Sequence, residues 1–376
     1  MNNRGRRILA AVIIGAGFVV LAALFAVGLQ EKDAATRDFI GYWAAGQQIV
    51  HGADPYNVDE VLRLEKSVGL GDLQIKITPS PPVGLAVVVP LGFLGAKSGL
   101  IFWMMAQIAC LSIAVWLIWR LAGRPPSRVH LFGYLFAPAV ACLMAGQLGI
   151  FFLLGVALFL FWRETRPWLA GAALLPMTLK PHLFLPVALV LVLWMIARRK
   201  QRIAAGLIMA MATSHAIVHV FDPHLWAQYV AMMHSDIMQG RFAPTLSAYL
   251  RLELAPRAAW LEFLPTAVAC IWAVWFFWSC RNRWDWIRDG MLVLLVSVLC
   301  APYAWFTDEA VLLPAVLFGV YRVIETRRSL IPIAVFTAIA LVELYANVRI
   351  TAWYYIWTTP AWLGWFLYAI QARTEP

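Results

Sequence analysis

Residues 36–56 read TRDFIGYWAAGQQIVHGADPY. The stretch mixes acids, an arginine, glycines and aromatics in a chain that is otherwise a succession of apolar runs. An apolar run over 8–29 precedes it, and Pro79-Ser80-Pro81-Pro82 breaks the chain before the next apolar piece. How this island is placed decides the fold. It reads as a polar segment held at a membrane surface between crossing helices, with Asp38 within about ten residues of the end of the first crossing.

The composition fits that placement. The 376 residues are 62% hydrophobic and 13% charged, whereas soluble domains are about half apolar and a quarter charged. Several uncharged runs reach the roughly 20 residues needed to cross a bilayer as helix. They do not alternate, which argues against a transmembrane barrel. The fold class is therefore an all-α polytopic membrane protein. The net charge of +10 does not point to nucleic acid, because the basic residues cluster between apolar runs, at Arg198-Arg199-Lys200, Arg281/Arg283 and Arg327-Arg328. That is the pattern of cytoplasmic loops. The five cysteines lie in or beside apolar runs without metal-site spacing and read as packing residues.

The order of elements follows. Arg4, Arg6 and Arg7 precede the run 8–29, which is too long for a signal-peptide core and reads as an uncleaved first helix. The segment 31–80 is an outer loop. Within it 38–50 reads as an amphipathic surface helix, Asp54-Pro55-Tyr56 as a turn, and Asn57 as the cap of a second short helix with Glu60 completing a capping box. Runs over 83–220 and 265–371 are transmembrane, and 221–264 is a second outer loop. Counting 83–95 as a crossing gives about twelve helices in a single membrane domain. Two topologies satisfy the count. Either 83–95 crosses and 168–197 is one kinked helix, or 83–95 only dips in and Lys180-Pro181 separates two helices. Only the second places every basic loop inside.

Several chemistries are excluded by their missing motifs: there is no phosphate-binding glycine loop, HExxH, GxSxG or CxxC. Asp38 fits either a helix N-cap or a general base that takes the proton of an acceptor hydroxyl. Asp308 and Glu309 are by default solvated acids; the alternative sets Asp308 across a cavity from Asp38, binding sugar hydroxyls. Trp305 and Tyr303 suit either a sugar-stacking platform or interfacial anchoring. Asp54 is a turn former or a ligand, and Tyr56 is open. Lys180, inside an apolar run, either reaches an interface or neutralises a phosphate, with Arg241 and Arg251 as rivals for that role. His215 and His219 share a helix face without an evident third metal ligand, and Gln147 reads as satisfying backbone at a helix break.

The chain also resembles glycosyltransferase family 87. Arg37-Asp38-Phe39, Tyr42-Trp43 and Gly52-Ala53-Asp54-Pro55-Tyr56 are similar to its first outer loop, and Pro79–Leu91 to its second-helix entry. Gly146-Gln147, Leu179-Lys180-Pro181 and Ala301-Pro302-Tyr303-Ala304-Trp305 follow in the family's order. The family often has a histidine after that tryptophan; here Phe306-Thr307-Asp308-Glu309 follow Trp305. The resemblance implies a GT-C-type bundle; the look of the chain suggests a bacterial inner membrane, and the basic loops set the site facing the periplasm or exterior. It implies a polyprenyl-phosphate sugar donor, possibly of mannose, a lipid or glycan acceptor, no cofactor or metal, and Asp38 as the catalytic residue. Arg37, Tyr42, Asp54, Tyr56, Lys180, Arg241, Arg251, Trp305 and Asp308 are the expected substrate contacts. A transporter or lipid flippase, and a non-enzymatic subunit of envelope assembly, are the competing readings.

Overall fold

The computed structural model describes residues 3–71, 75–235, 243–346 and 353–371, with side chains from Gly15 onward. The described residues are helical and irregular, without a strand. An apolar chain in lipid must satisfy its own backbone, and helices do so within one segment. Among the described residues, three helices are long and apolar enough to cross a membrane: Ala96–Leu121, Gln201–Phe221 and the segment Ala259–Arg283. The first helix, Asn3–Gly28, and shorter apolar helices such as Gly149–Trp162, Leu185–Ala197 and Ile331–Tyr345 accompany them. Length and composition alone thus mark three crossings, short of the expected count of about twelve.

The two ambiguous runs are both broken. Residues 83–95 form two short 3-10 helices, Pro82–Val87 and Val89–Phe93, because Pro90 removes a donor and prevents a continuous α-helix. The run 168–197 is a helix over Pro167–Ala172, 3-10 turns over Leu175–Leu179 and Pro181–Leu183, and a helix over Leu185–Ala197. Lys180 sits between the two 3-10 turns, with φ −133° and ψ 66°.

Basic loops gather at one end of the bundle. Arg120 lies over the ring of Phe161 at 5.1 Å. Lys200 pairs with Glu164. Arg198 donates to the carbonyls of Arg281 and Asn282, each at 3.1 Å. These contacts bring the ends of Ala96–Leu121, Gly149–Trp162, Leu185–Ala197 and Leu264–Cys280 together.

The segment 31–80 is not a surface coat. Helix Phe39–Val50 buries most of its residues, Phe39, Ile40, Ala44 and Ile49 completely. The face carrying Trp43 and Gly46 packs on Val89–Phe93, where the Trp43 indole donates to the Leu94 carbonyl at 2.9 Å. The expected surface helix is therefore a buried one. Beyond it, Asp54 accepts from the Tyr56 N–H at 2.8 Å, closing the expected turn. Asn57 caps Val58–Ser67 by accepting from Asp59 and Glu60 N–H, while the Glu60 side chain turns to Arg63 and leaves the capping box half built. Gly69 and Gly71 take left-handed φ of 100° and 63° and turn the chain back towards the bundle.

Candidate active site

Asp38 stands at the N-cap position of helix Phe39–Val50, yet its side chain makes no capping hydrogen bond. Both oxygens point elsewhere. Oδ1 takes the Lys76 ammonium, and Oδ2 accepts from Gln147 Nε2 at 2.8 Å. The expected neighbour Arg37 instead donates to the Met144 carbonyl and fastens this loop to the end of helix Ala137–Ala145.

Gln147 is oriented by a second bond. Tyr42, one helical turn after Asp38, donates its phenol to Gln147 Oε1 at 2.7 Å. An amide whose oxygen faces a phenol must turn its NH2 the other way, towards Asp38. The Gln147 backbone carbonyl accepts from Gln107 Nε2. The chain reaches this position through Gly146, left-handed at φ 71°, whose carbonyl receives the Trp103 indole N–H at 2.8 Å. Tyr42 stacks on Trp103 with centroids 5.7 Å apart. Burial holds the Tyr42 phenol well above its ordinary pKa, and the charges of Asp308 and Asp38 add to the effect. Tyr42 therefore remains a donor and stands within the field of both acids.

The second half of the site centres on Lys180. Its ammonium lies 2.7 and 2.9 Å from the two oxygens of Asp308. Asp308 is wholly enclosed, which corrects the default view of a solvated acid; its neighbour Glu309 is enclosed as well. Asp308 Oδ2 also accepts the Trp305 N–H at 3.0 Å. The Trp305 indole donates to the Tyr303 hydroxyl at 2.6 Å, and Tyr303 meets His182 edge-on at 5.9 Å. His182 Nε2 is buried and has no hydrogen-bond partner among the described residues. Glu309 accepts from Thr358, Thr359 and Trp362 at 2.7–2.9 Å, clamping helix Thr358–Ile370 onto the turn Phe306–Leu312.

The expected site residues thus divide. Asp38 and Tyr42 share one network through Gln147, Lys180, Trp305 and Asp308 share a second, and the charges of both acids act on Tyr42. Arg37 and Asp54 hold backbone turns, and Tyr56 donates to the Ser80 carbonyl at 2.7 Å while its ring meets Tyr229. Arg251 bonds Glu262 and the Pro256 carbonyl, within the segment 243–264. Arg241 lies outside the described residues. Gln147, read as a backbone partner, reaches Asp38, and Lys76, Gln107 and His182 were not singled out. Lys76 carried a usable signal, being the lone basic residue between Lys66 and Lys97.

An apolar cavity of about 190 Å³ adjoins the Lys180 break through Thr178 and Pro181 and continues along Met177, Phe184 and Trp286. The model of glycosyltransferase family 87 matches residues 80–302, more than half of the chain and including Gln147 and Lys180. No curated protein and no solved structure matches.

Proposed function

The chain belongs to glycosyltransferase family 87, and on that premise we propose that it moves a sugar from a polyprenyl-phosphate donor to a hydroxyl of a lipid or glycan acceptor. Mannose is the sugar the resemblance suggests. The observation that carries this reading is the direction of the Asp38 carboxylate. A capping aspartate turns its oxygens into its own helix. This one makes no such bond and is held instead by Gln147 and Lys76, beside the Tyr42 phenol on which the charges of both Asp38 and Asp308 act.

A carboxylate so placed takes the proton of the acceptor hydroxyl as its oxygen attacks the anomeric carbon. The carbon–oxygen bond to phosphate breaks, and its electron pair leaves with the phosphate. Phosphate departs without protonation, so one carboxylate suffices and the sugar inverts. Tyr42 and Gln147 fix the carboxylate, which matters because a small displacement of a reacting group costs much of the rate. Trp305 and Tyr303 offer a face and a hydroxyl to the sugar, and the buried nitrogen of His182 is free for a further polar contact. The apolar cavity beside Lys180 suits the start of a polyprenyl chain.

Orientation follows from charge. The Arg120, Arg198–Lys200 and Arg281 loops share one end of the bundle, and basic loops favour the cytoplasmic side. The first outer segment would then face the periplasm or exterior of a bacterial inner membrane.

The test is transfer of radiolabelled sugar from polyprenyl-phosphate donors, in membranes holding matched amounts of wild type or Asp38→Asn. Transfer by wild type with donor binding but no turnover in the variant is the expected result. A variant as active as wild type would remove Asp38 from the reaction. A wild type that transfers from no such donor would remove the donor class.

A further inference from the structure

Lys76 is fixed more firmly than a link between two helices requires. Its N–H donates to the Glu65 carboxylate, 3.2 Å from each oxygen, and Glu65 is fully buried. Withdrawing a carboxyl group from water to hold one backbone N–H is costly. On the other side, the Lys76 carbonyl lies so close to Gly41 that a Cβ there would overlap it. The next residues, Ile77, Thr78 and Ser80, are buried too. Only the Lys76 side chain is loosely held: the Lys76–Asp38 side chains are 28% and 29% exposed, against 12% and 0% for Lys180–Asp308. The site therefore holds one enclosed ammonium and one accessible ammonium on a rigid base.

We propose that Lys76 is a phosphate-binding residue that changes partner, neutralising Asp38 in the empty site and passing to the donor phosphate during transfer. The inference rests on the polyprenyl-phosphate reading above. The charges require some such exchange. Before transfer, Asp38 carries one negative charge and the donor phosphodiester another. After it, Asp38 holds the acceptor's proton and is neutral, and the freed polyprenyl phosphate carries two. One negative charge has moved from Asp38 to phosphate. An ammonium that reaches both stabilises the charge at its destination, where it develops as the bond breaks. Lys180 already has both oxygens of Asp308 and cannot leave without exposing a buried carboxylate. Glu65 and Gly41 are positioning residues that set the pivot of the Lys76 side chain.

Binding of farnesyl phosphate to the full chain in detergent, with farnesol as uncharged control, tests this apart from turnover. Lys76→Met should weaken farnesyl phosphate about tenfold or more and leave farnesol unchanged, as loss of a charge-assisted contact does. Lys76→Arg should stay within about threefold of wild type, which separates lost charge from lost fold. Asp38→Asn frees the ammonium and should tighten farnesyl phosphate about tenfold, a gain that must vanish in Asp38→Asn/Lys76→Met. Glu65→Ala should weaken it part of the way, again without moving farnesol. Unchanged phosphate binding in Lys76→Met, or an Asp38→Asn gain that survives without Lys76, overturns the inference even where wild type transfers sugar. A wild type that neither binds farnesyl phosphate nor transfers from any polyprenyl-phosphate sugar overturns the donor reading and this inference together.

Discussion

Lys180 Nζ sits 2.7 and 2.9 Å from the two carboxylate oxygens of Asp308, across 128 residues of sequence. The pair closes the Lys180 break against the turn Phe306–Leu312, and Asp308 has no exposed surface. Removing the ammonium strands a buried charge. Lys180→Met should therefore cost about 3–5 kcal/mol of stability. Lys180→Met/Asp308→Leu, which removes both charges, should recover much of it. Thermal melting in detergent, followed by intrinsic tryptophan fluorescence, reads both.

Gln147 aims Asp38, and Tyr42 aims Gln147. Tyr42→Phe leaves the packing on Trp103 but frees the amide to rotate, and should lower kcat by about tenfold with KM for donor little changed. Gln147→Leu removes the amide contact altogether and should lower kcat further. If Tyr42→Phe raised KM alone, Tyr42 would be a substrate contact and not an orienting residue.

The Glu65 carboxyl gives a pH signature. Burial pushes it up to about 7, against the N–H and charge of Lys76, which pull it down. In the folded chain it thus keeps a proton that the unfolded chain has already released. Stability should fall as pH rises from the ordinary carboxylate range through about 7, and level off above. Glu65→Gln should flatten that slope. Melting temperatures of both forms across this window decide it.

Glu309 is a clamp by its contacts: three donors from helix Thr358–Ile370 converge on it. Glu309→Leu leaves those donors without partners in a buried place and should cost about 3 kcal/mol or more. Any transfer activity left in the folded fraction should keep its KM, because the clamp touches no substrate in the proposed reaction. A raised KM with unchanged stability would place Glu309 in the site instead.

Local features of the fold were legible in the sequence. Asn57 caps its helix, because that role depends on a few neighbouring residues. Helix Ala96–Leu121 was legible from length and hydropathy. The broken runs were harder, since Pro90 and Pro181 fit either a kink or an interruption until packing decides. Asp38 stood out by composition and resemblance, but its partners did not. Lys76 and Gln147 lie 38 and 109 residues away, and nothing in their own neighbourhoods names Asp38. Asp308 and Glu309 read as solvated because hydropathy scores residues singly. Their enclosure comes from Lys180, Thr358 and Trp362, which other segments deliver.

The proposed site holds two ammonium groups and two carboxylates, Lys76 paired with Asp38 and Lys180 with Asp308. Their charges sum to zero. A resting site without net charge exerts little long-range pull on an anion in solution, so electrostatic steering contributes little to capture. A lipid-borne substrate would arrive by lateral diffusion within the bilayer, through its hydrocarbon tail. Its rate of capture should then follow its density in the membrane and stay nearly level as ionic strength is raised.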